Sequence, residues 1–129
     1  MPASPAAPRV YIADDSAPIR ARVAAMLDPS AFTVVGQGDT PKGCIADILA
    51  MRPDVVVLDV LLEGGTGLEV LRAVRAVLPQ VAFVVFSNSA GPAYRKRYLA
   101  HGALQFLDKS QEFEQLPQAI ATAARGTTH

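Results

Sequence analysis

The sequence predicts an α/β fold: a doubly wound parallel sheet of five strands with helices on both faces. Three observations lead there. Five short apolar runs alternate with longer stretches of helical period. Each crossover must return the chain to the same strand direction, which an intervening helix accomplishes. The runs at 55–58 and 81–86 are apolar almost throughout, as strands covered on both faces are.

The elements follow in order. RVYIA (9–13) is the first strand. SAPIRARVAAML follows, with Ile19, Val23 and Met26 or Leu27 on one helical face. AFTVV (31–35) is the second strand, closed by GQGD. Thr40 and Pro41 form an N-cap and first-turn pair for the second helix, which turns Ile45, Ile48 and Leu49 to one side. Arg52-Pro53 stops it, because a residue before proline is driven out of the helical region. DVVVLD (54–59) is the third strand. The third helix, TGLEVLRAVRAVLP, spaces Leu68, Leu71, Val74 and Leu78 helically and ends at Pro79. VAFVVFS (81–87) is the fourth strand. GPAYRKRYLAHG has only a thin apolar stripe, but its His-Gly end is a helix C-cap signal. ALQFLDK (103–109) is the fifth strand. The last helix turns Phe113, Leu116, Ile120 and Ala123 or Ala124 inward, and Pro117 starts its regular part near Leu116 after a turn.

Composition narrows the function. The chain of 129 residues is one domain's worth, and half of it is hydrophobic. Twelve basic and twelve acidic residues give no formal net charge, against a nucleic-acid binder, which carries a basic excess. The single cysteine, Cys44, excludes an intrachain disulfide and favours a reducing compartment. No apolar run approaches the ~20 residues of a membrane span. MPASPAAP has neither a basic nor an apolar signal region, and residues 1–8 read as a disordered tail. The domain is expected over 9–125, with a fray at 126–129.

Ligands of open parallel sheets bind at the carboxyl ends of the strands. Here the first strand ends on Asp14-Asp15, the third on Asp59, the fourth on Ser87 and the fifth on Lys109. In the strand order 2-1-3-4-5 these ends converge on one patch centred on Asp59. Three carboxylates cannot all ionise in one crevice without a counterion. A hard divalent cation, Mg²⁺ or Mn²⁺, answers that need. Lys109 and Ser87 then suit a phosphoryl group beside the metal, with a carboxylate as its covalent acceptor.

With these motifs, and with Gly67 eight residues after Asp59, the chain resembles the receiver domain of two-component response regulators across residues 9–125. The resemblance implies a flavodoxin-like, CheY-like fold in a single-domain response regulator of the bacterial cytoplasm. It implies that Asp59 takes a phosphoryl group from a sensor histidine kinase or histidine phosphotransfer protein. Asp14, Asp15, Asp59 and the Leu61 backbone carbonyl would hold the metal. Ser87 and Lys109 would contact the phosphoryl oxygens, and Ser87 and Phe106 would form the switch. Leu61 and Ser89 would tune phosphoryl lifetime. A downstream partner would meet the face made by the fourth helix, fifth strand and fifth helix. Catalysis would be limited to self-phosphorylation and slow self-dephosphorylation. The resemblance allows a weak homodimer and calls for neither nucleic acid nor membrane.

The chain departs from that pattern in places. Ser110 stands where the family usually has proline. Glu63-Gly64-Gly65 replaces a proline-containing turn and is expected to be a more flexible loop. Phe106 has no hydroxyl, and the apolar Leu61 cannot orient an attacking water. Simpler roles stay open at this level. Asp14 or Asp15 could cap the first helix. Asp59 could be a strand end facing water, Ser87 a turn residue, Lys109 a surface lysine and Phe106 ordinary core. Residues 94–98 are expected to be a solvated face, with a partner patch as the other reading. Cys44 reads as core, and His101 and His129 lack metal spacing. A phosphorylation-independent adaptor is the competing function.

Overall fold

A computed structural model describes residues 7–89 and 91–126. Of the tail expected at 1–8 and the fray expected at 126–129, residues 1–6 and 127–129 lie outside the described residues, and Gly126 closes the last helix. The five-stranded sheet contains β1 (Arg9–Ala13), β2 (Thr33–Gly38), β3 (Val55–Leu58), β6 (Ala82–Ser87) and β7 (Gln105–Asp108). Its order is β2-β1-β3-β6-β7 and every pairing is parallel, so β6 and β7 are the fourth and fifth strands of the sequence reading. The crossovers carry α1 (Ala17–Met26), α2 (Pro41–Met51), α3 (Gly67–Val77) and α4 (Pro92–Ala100), and α5 (Leu116–Gly126) closes the chain. This is the doubly wound, flavodoxin-like α/β fold with order 2-1-3-4-5.

Strand alternation sorts the core into two layers. Tyr11, Val56, Leu58, Phe83, Val85 and Phe106 face α2, α3 and α4, where they meet Ile48, Leu71 and Tyr98. Val10, Ile12, Val57, Val84 and Leu107 face α1 and α5, where they meet Val23, Leu116 and Ile120. Cys44 is fully buried in the first layer, and burial pushes its thiol up to about 11. Tyr11 occupies a central strand because α2 gives its hydroxyl a partner: it donates to Asp47 Oδ2 at 2.7 Å. Its ring lies over the end of β2, and a Cβ at Gly38 would overlap the Tyr11 hydroxyl. That packing explains why the second strand closes on glycines.

The helix ends obey their local chemistry. Thr40 caps α2 by accepting the Gly43 N–H at 3.1 Å, with Pro41 in the first turn. Arg52 ends that helix in the left-handed region, at φ 50°. Glu69 folds back to accept the Thr66 N–H at 2.8 Å in the capping box of α3. A 3₁₀ turn at Phe113–Gln115 precedes α5, as Pro117 requires.

Two expectations are corrected. The stretch after Asp59, expected as a more flexible loop, is an antiparallel ribbon, β4 (Leu61–Leu62) with β5 (Gly65–Thr66). Gly64, at φ 82°, supplies the positive backbone angle that its two-residue turn needs. The Glu63 N–H donates to the Asp39 carbonyl at 2.8 Å and the Gly67 N–H to the Val60 carbonyl at 2.8 Å, tying both ends down. Residues 94–98 are not wholly a solvated face either. Tyr98 is 2 % exposed and is the one buried residue of α4.

Candidate functional site

Asp14, Asp59 and Lys109 each stand one step beyond a strand and are still held by the ladder, while Ser87 is the last residue of β6. The Asp14 N–H donates to Gly38 O at 3.0 Å, Asp59 N–H to Ala13 O at 2.9 Å and Lys109 N–H to Ser87 O at 3.0 Å. The four groups therefore sit at one level across β1, β3, β6 and β7. Gly67 completes the placement. A Cβ there would overlap the Asp59 carbonyl oxygen, so only glycine lets α3 start this close to the strand end.

Asp14 and Asp59 are buried, and Lys109 is buried between them. The ammonium donates to Asp14 Oδ2 at 2.6 Å and to Asp59 Oδ2 at 2.8 Å. This is the charge that a lone carboxylate at the end of an apolar strand demands. Burial pulls the Lys109 ammonium down, but the bonds and charges of its two carboxylates outweigh it and hold it above the usual lysine value. Burial likewise raises Asp14 above the ordinary carboxylate range, against the lowering pull of Lys109 and of the Ser16 N–H.

Asp15 is exposed, yet carboxylate oxygens of Asp14, Asp15 and Asp59 lie within 4.8 Å of one another. Three carboxylates against one ammonium leave two negative charges uncompensated. That charge, and the all-oxygen donor set, fit a hard divalent cation. The helix cap falls to neither acid: Ser16 caps α1, accepting the Ile19 N–H at 3.3 Å. Asp14 Oδ1 instead accepts the Ser16 N–H at 2.9 Å, which turns its other oxygen toward Lys109.

The remaining expected residues lie around this centre. Ser87 is 1 % exposed at the end of β6, and its hydroxyl accepts the Ser89 N–H at 3.0 Å. Leu61 sits in the ribbon, half exposed, its N–H 3.5 Å from Asp59 Oδ1. Phe106 is buried. The turn that carries Lys109 is built by its neighbours. Asp108 Oδ1 accepts both the Ser110 N–H at 2.8 Å and the Ser110 hydroxyl at 2.6 Å, and these bonds hold the Asp108 carboxyl below its usual range. Glu112 Oε1 accepts the Asp108 N–H at 3.0 Å. All peptides among the described residues are trans.

Sequence reading missed three contributors. Arg20 donates to the Asp14 carbonyl at 2.6 Å. Arg95 donates to the Phe106 carbonyl at 2.8 Å and approaches Glu112 to 3.8 Å. Tyr98 reaches the Val60 carbonyl at 3.4 Å. The spacing of Arg95 and Tyr98, three apart on one helix, was the available signal, since such residues share a face.

Comparison with known proteins agrees with this geometry. The family model described as the response regulator receiver domain matches residues 10–121. Response regulator GacA of Pseudomonas aeruginosa is 30 % identical over 119 residues, covering 92 % of this chain and 56 % of that protein. Response regulator protein VraR of Staphylococcus aureus is 25 % identical over 119 residues, covering 92 % of this chain and 57 % of that one. The chain thus spans little more than half the length of these curated relatives. Among solved structures, the receiver domain of the putative response regulator NarL from Mycobacterium tuberculosis superposes with a TM-score of 0.85 at 30 % identity. That match covers 95 % of this chain and 99 % of the other.

Proposed function

On the premise that this chain belongs to the response regulator receiver family, we propose that it is a phosphorylation-controlled binding module with Asp59 as its phosphoacceptor. The observation that carries the reading is the buried Lys109 ammonium shared between Asp14 and Asp59. It supports the reading by setting a cation against Asp59 in a low-dielectric crevice, where it would receive phosphoryl oxygens.

In the step proposed, a carboxylate oxygen of Asp59 forms a bond to phosphorus. The bond between phosphorus and the histidine nitrogen of a sensor kinase or phosphotransfer protein breaks, and the freed imidazole takes a proton from solvent. Lys109 follows the negative charge from the carboxylate to the phosphoryl oxygens. Ser87 would donate its hydroxyl to them. Asp14, Asp15, Asp59 and the Leu61 carbonyl would hold Mg²⁺ or Mn²⁺, which neutralises charge on the incoming phosphoryl group. Leu61, apolar at the rim, would leave an attacking water unoriented and prolong the phosphorylated state, with Ser89 as the second lifetime position.

The proposed domain is 9–125, and the proposed output face is α4, β7 and α5. No helix among the described residues is long and apolar enough to cross a membrane. The test is intact-mass measurement after incubation with acetyl phosphate and Mg²⁺. The chain gains one phosphate, and Asp59→Asn gains none. Equal labelling of the Asn variant overturns the assignment.

A further inference from the structure

Phe106 occupies the position where the family resemblance places a mobile aromatic. In this chain it is already inside, at 2 % exposure. Its ring meets Tyr98 edge to face, with centroids 6.0 Å apart at 72°. The Arg95 guanidinium lies 5.2 Å from the ring centroid while bonding the Phe106 carbonyl. Swinging outward would strip the ring of its packing, and a phenyl ring has no hydroxyl with which to recover a hydrogen bond. Phe106 is therefore held as a wall.

Tyr98 has what Phe106 lacks. Its ring is the one buried anchor of α4, whose other side chains are exposed apart from the half-buried Arg95. Its hydroxyl donates to Val60 O, the carbonyl directly after Asp59, at 3.4 Å. The Leu68 backbone N–H, in the first turn of α3, faces the same oxygen. One phenol thus bonds the start of the segment that follows the phosphoacceptor and lies near its far end. At 3.4 Å the bond to Val60 is near its outer limit, so a displacement of a few tenths of an ångström makes or breaks it.

We infer that the Tyr98 hydroxyl, and not Phe106, is the link through which a change at Asp59 is passed to α4. The inference rests on the reading of Asp59 as phosphoacceptor. Drawing the 60–68 segment toward an occupied site displaces Val60 O relative to Tyr98, and α4, whose one buried side chain is Tyr98, follows. The coupling is reciprocal: whatever fixes α4 also biases the geometry behind Asp59.

The test is hydrogen–deuterium exchange across residues 92–100 in the full chain, with and without Mg²⁺ and beryllofluoride as phosphoryl mimic. Wild type, Tyr98→Phe and Phe106→Leu are compared. Tyr98→Phe keeps the ring packing and removes only the hydroxyl. The expected result is a change of exchange in wild type, at least fivefold smaller in Tyr98→Phe and more than half retained in Phe106→Leu. A response in Tyr98→Phe equal to wild type overturns the inference. So does a wild type that binds the mimic with no change in α4. Binding is followed separately by native mass spectrometry. If wild type binds no mimic and takes no phosphate, the phosphoacceptor reading falls, and the inference falls with it.

Discussion

Replacing Lys109 by methionine keeps most of the aliphatic stem and deletes the charge. Two buried carboxylates, Asp14 and Asp59, then lose the ammonium that sits 2.6 and 2.8 Å from them. Breaking a buried pair in this way costs about 3–5 kcal/mol. A second route limits the loss, because the native state can protonate one carboxylate instead. From an ordinary value near 3.9, holding that proton at pH 7 costs about 4 kcal/mol, at 1.36 kcal/mol per unit. The expected loss at pH 7 is therefore about 3–4 kcal/mol. The native variant carries a proton that the unfolded chain has released, so its stability falls as pH rises above the unfolded carboxylate value. At pH 5 the same proton costs about 1.5 kcal/mol, and the loss shrinks to match. Urea unfolding of wild type and Lys109→Met in EDTA at both pH values measures this. A loss under about 1 kcal/mol at pH 7, or one equal at both pH values, would falsify the argument that Lys109 neutralises this pair.

Two further predictions concern the frame around the site. Gly67→Ala gains at most about 1 kcal/mol of helix propensity but forces a methyl group into the Asp59 carbonyl, so a net loss of about 2 kcal/mol or more is expected in urea unfolding; a variant as stable as wild type rules out the close approach. In Ser110→Ala the Asp108 carboxyl loses its strongest hydrogen bond, and its NMR titration midpoint should move up toward the ordinary carboxylate value. Because the folded value is depressed in wild type, Asp108 contributes stability above the unfolded carboxylate pKa and loses it as pH falls through the folded one. An unshifted midpoint would show that Ser110 does not hold this turn.

The sheet and the centre of the site were legible because two signals coincided. Short apolar runs alternating with helical stretches placed the strands, and the polar residues ending four of the runs marked where they converge. Asp59 stood out since VVVL before it allows no other charged neighbour in sequence, and the fold supplies Lys109 from fifty residues away. The pairing of Lys109 with Asp14 as well as Asp59 was not readable, because it depends on the Ser16 N–H turning one Asp14 oxygen aside. Tyr98 was hidden for a different reason. A stripe needs several apolar residues, and α4 buries one, among neighbours that are mostly charged or small. The ribbon after Asp59 was obscured by its shortness: two paired residues on each side of a turn carry no periodicity, and a glycine at 64, able to take a positive angle, was the available clue.

Cys44 lends the chain a practical property. Its thiol is the one cysteine in the sequence, fully buried against Tyr11, with its ionisation pushed up to about 11. Alkylating reagents attack thiolates that solvent can reach, so the folded chain is close to inert toward them at neutral pH. A cysteine introduced at an exposed position, such as Glu63 in the turn beside Asp59, would therefore accept a fluorophore or spin label alone. Position-specific spectroscopy of this chain can begin from the native sequence, with no cysteine removed beforehand.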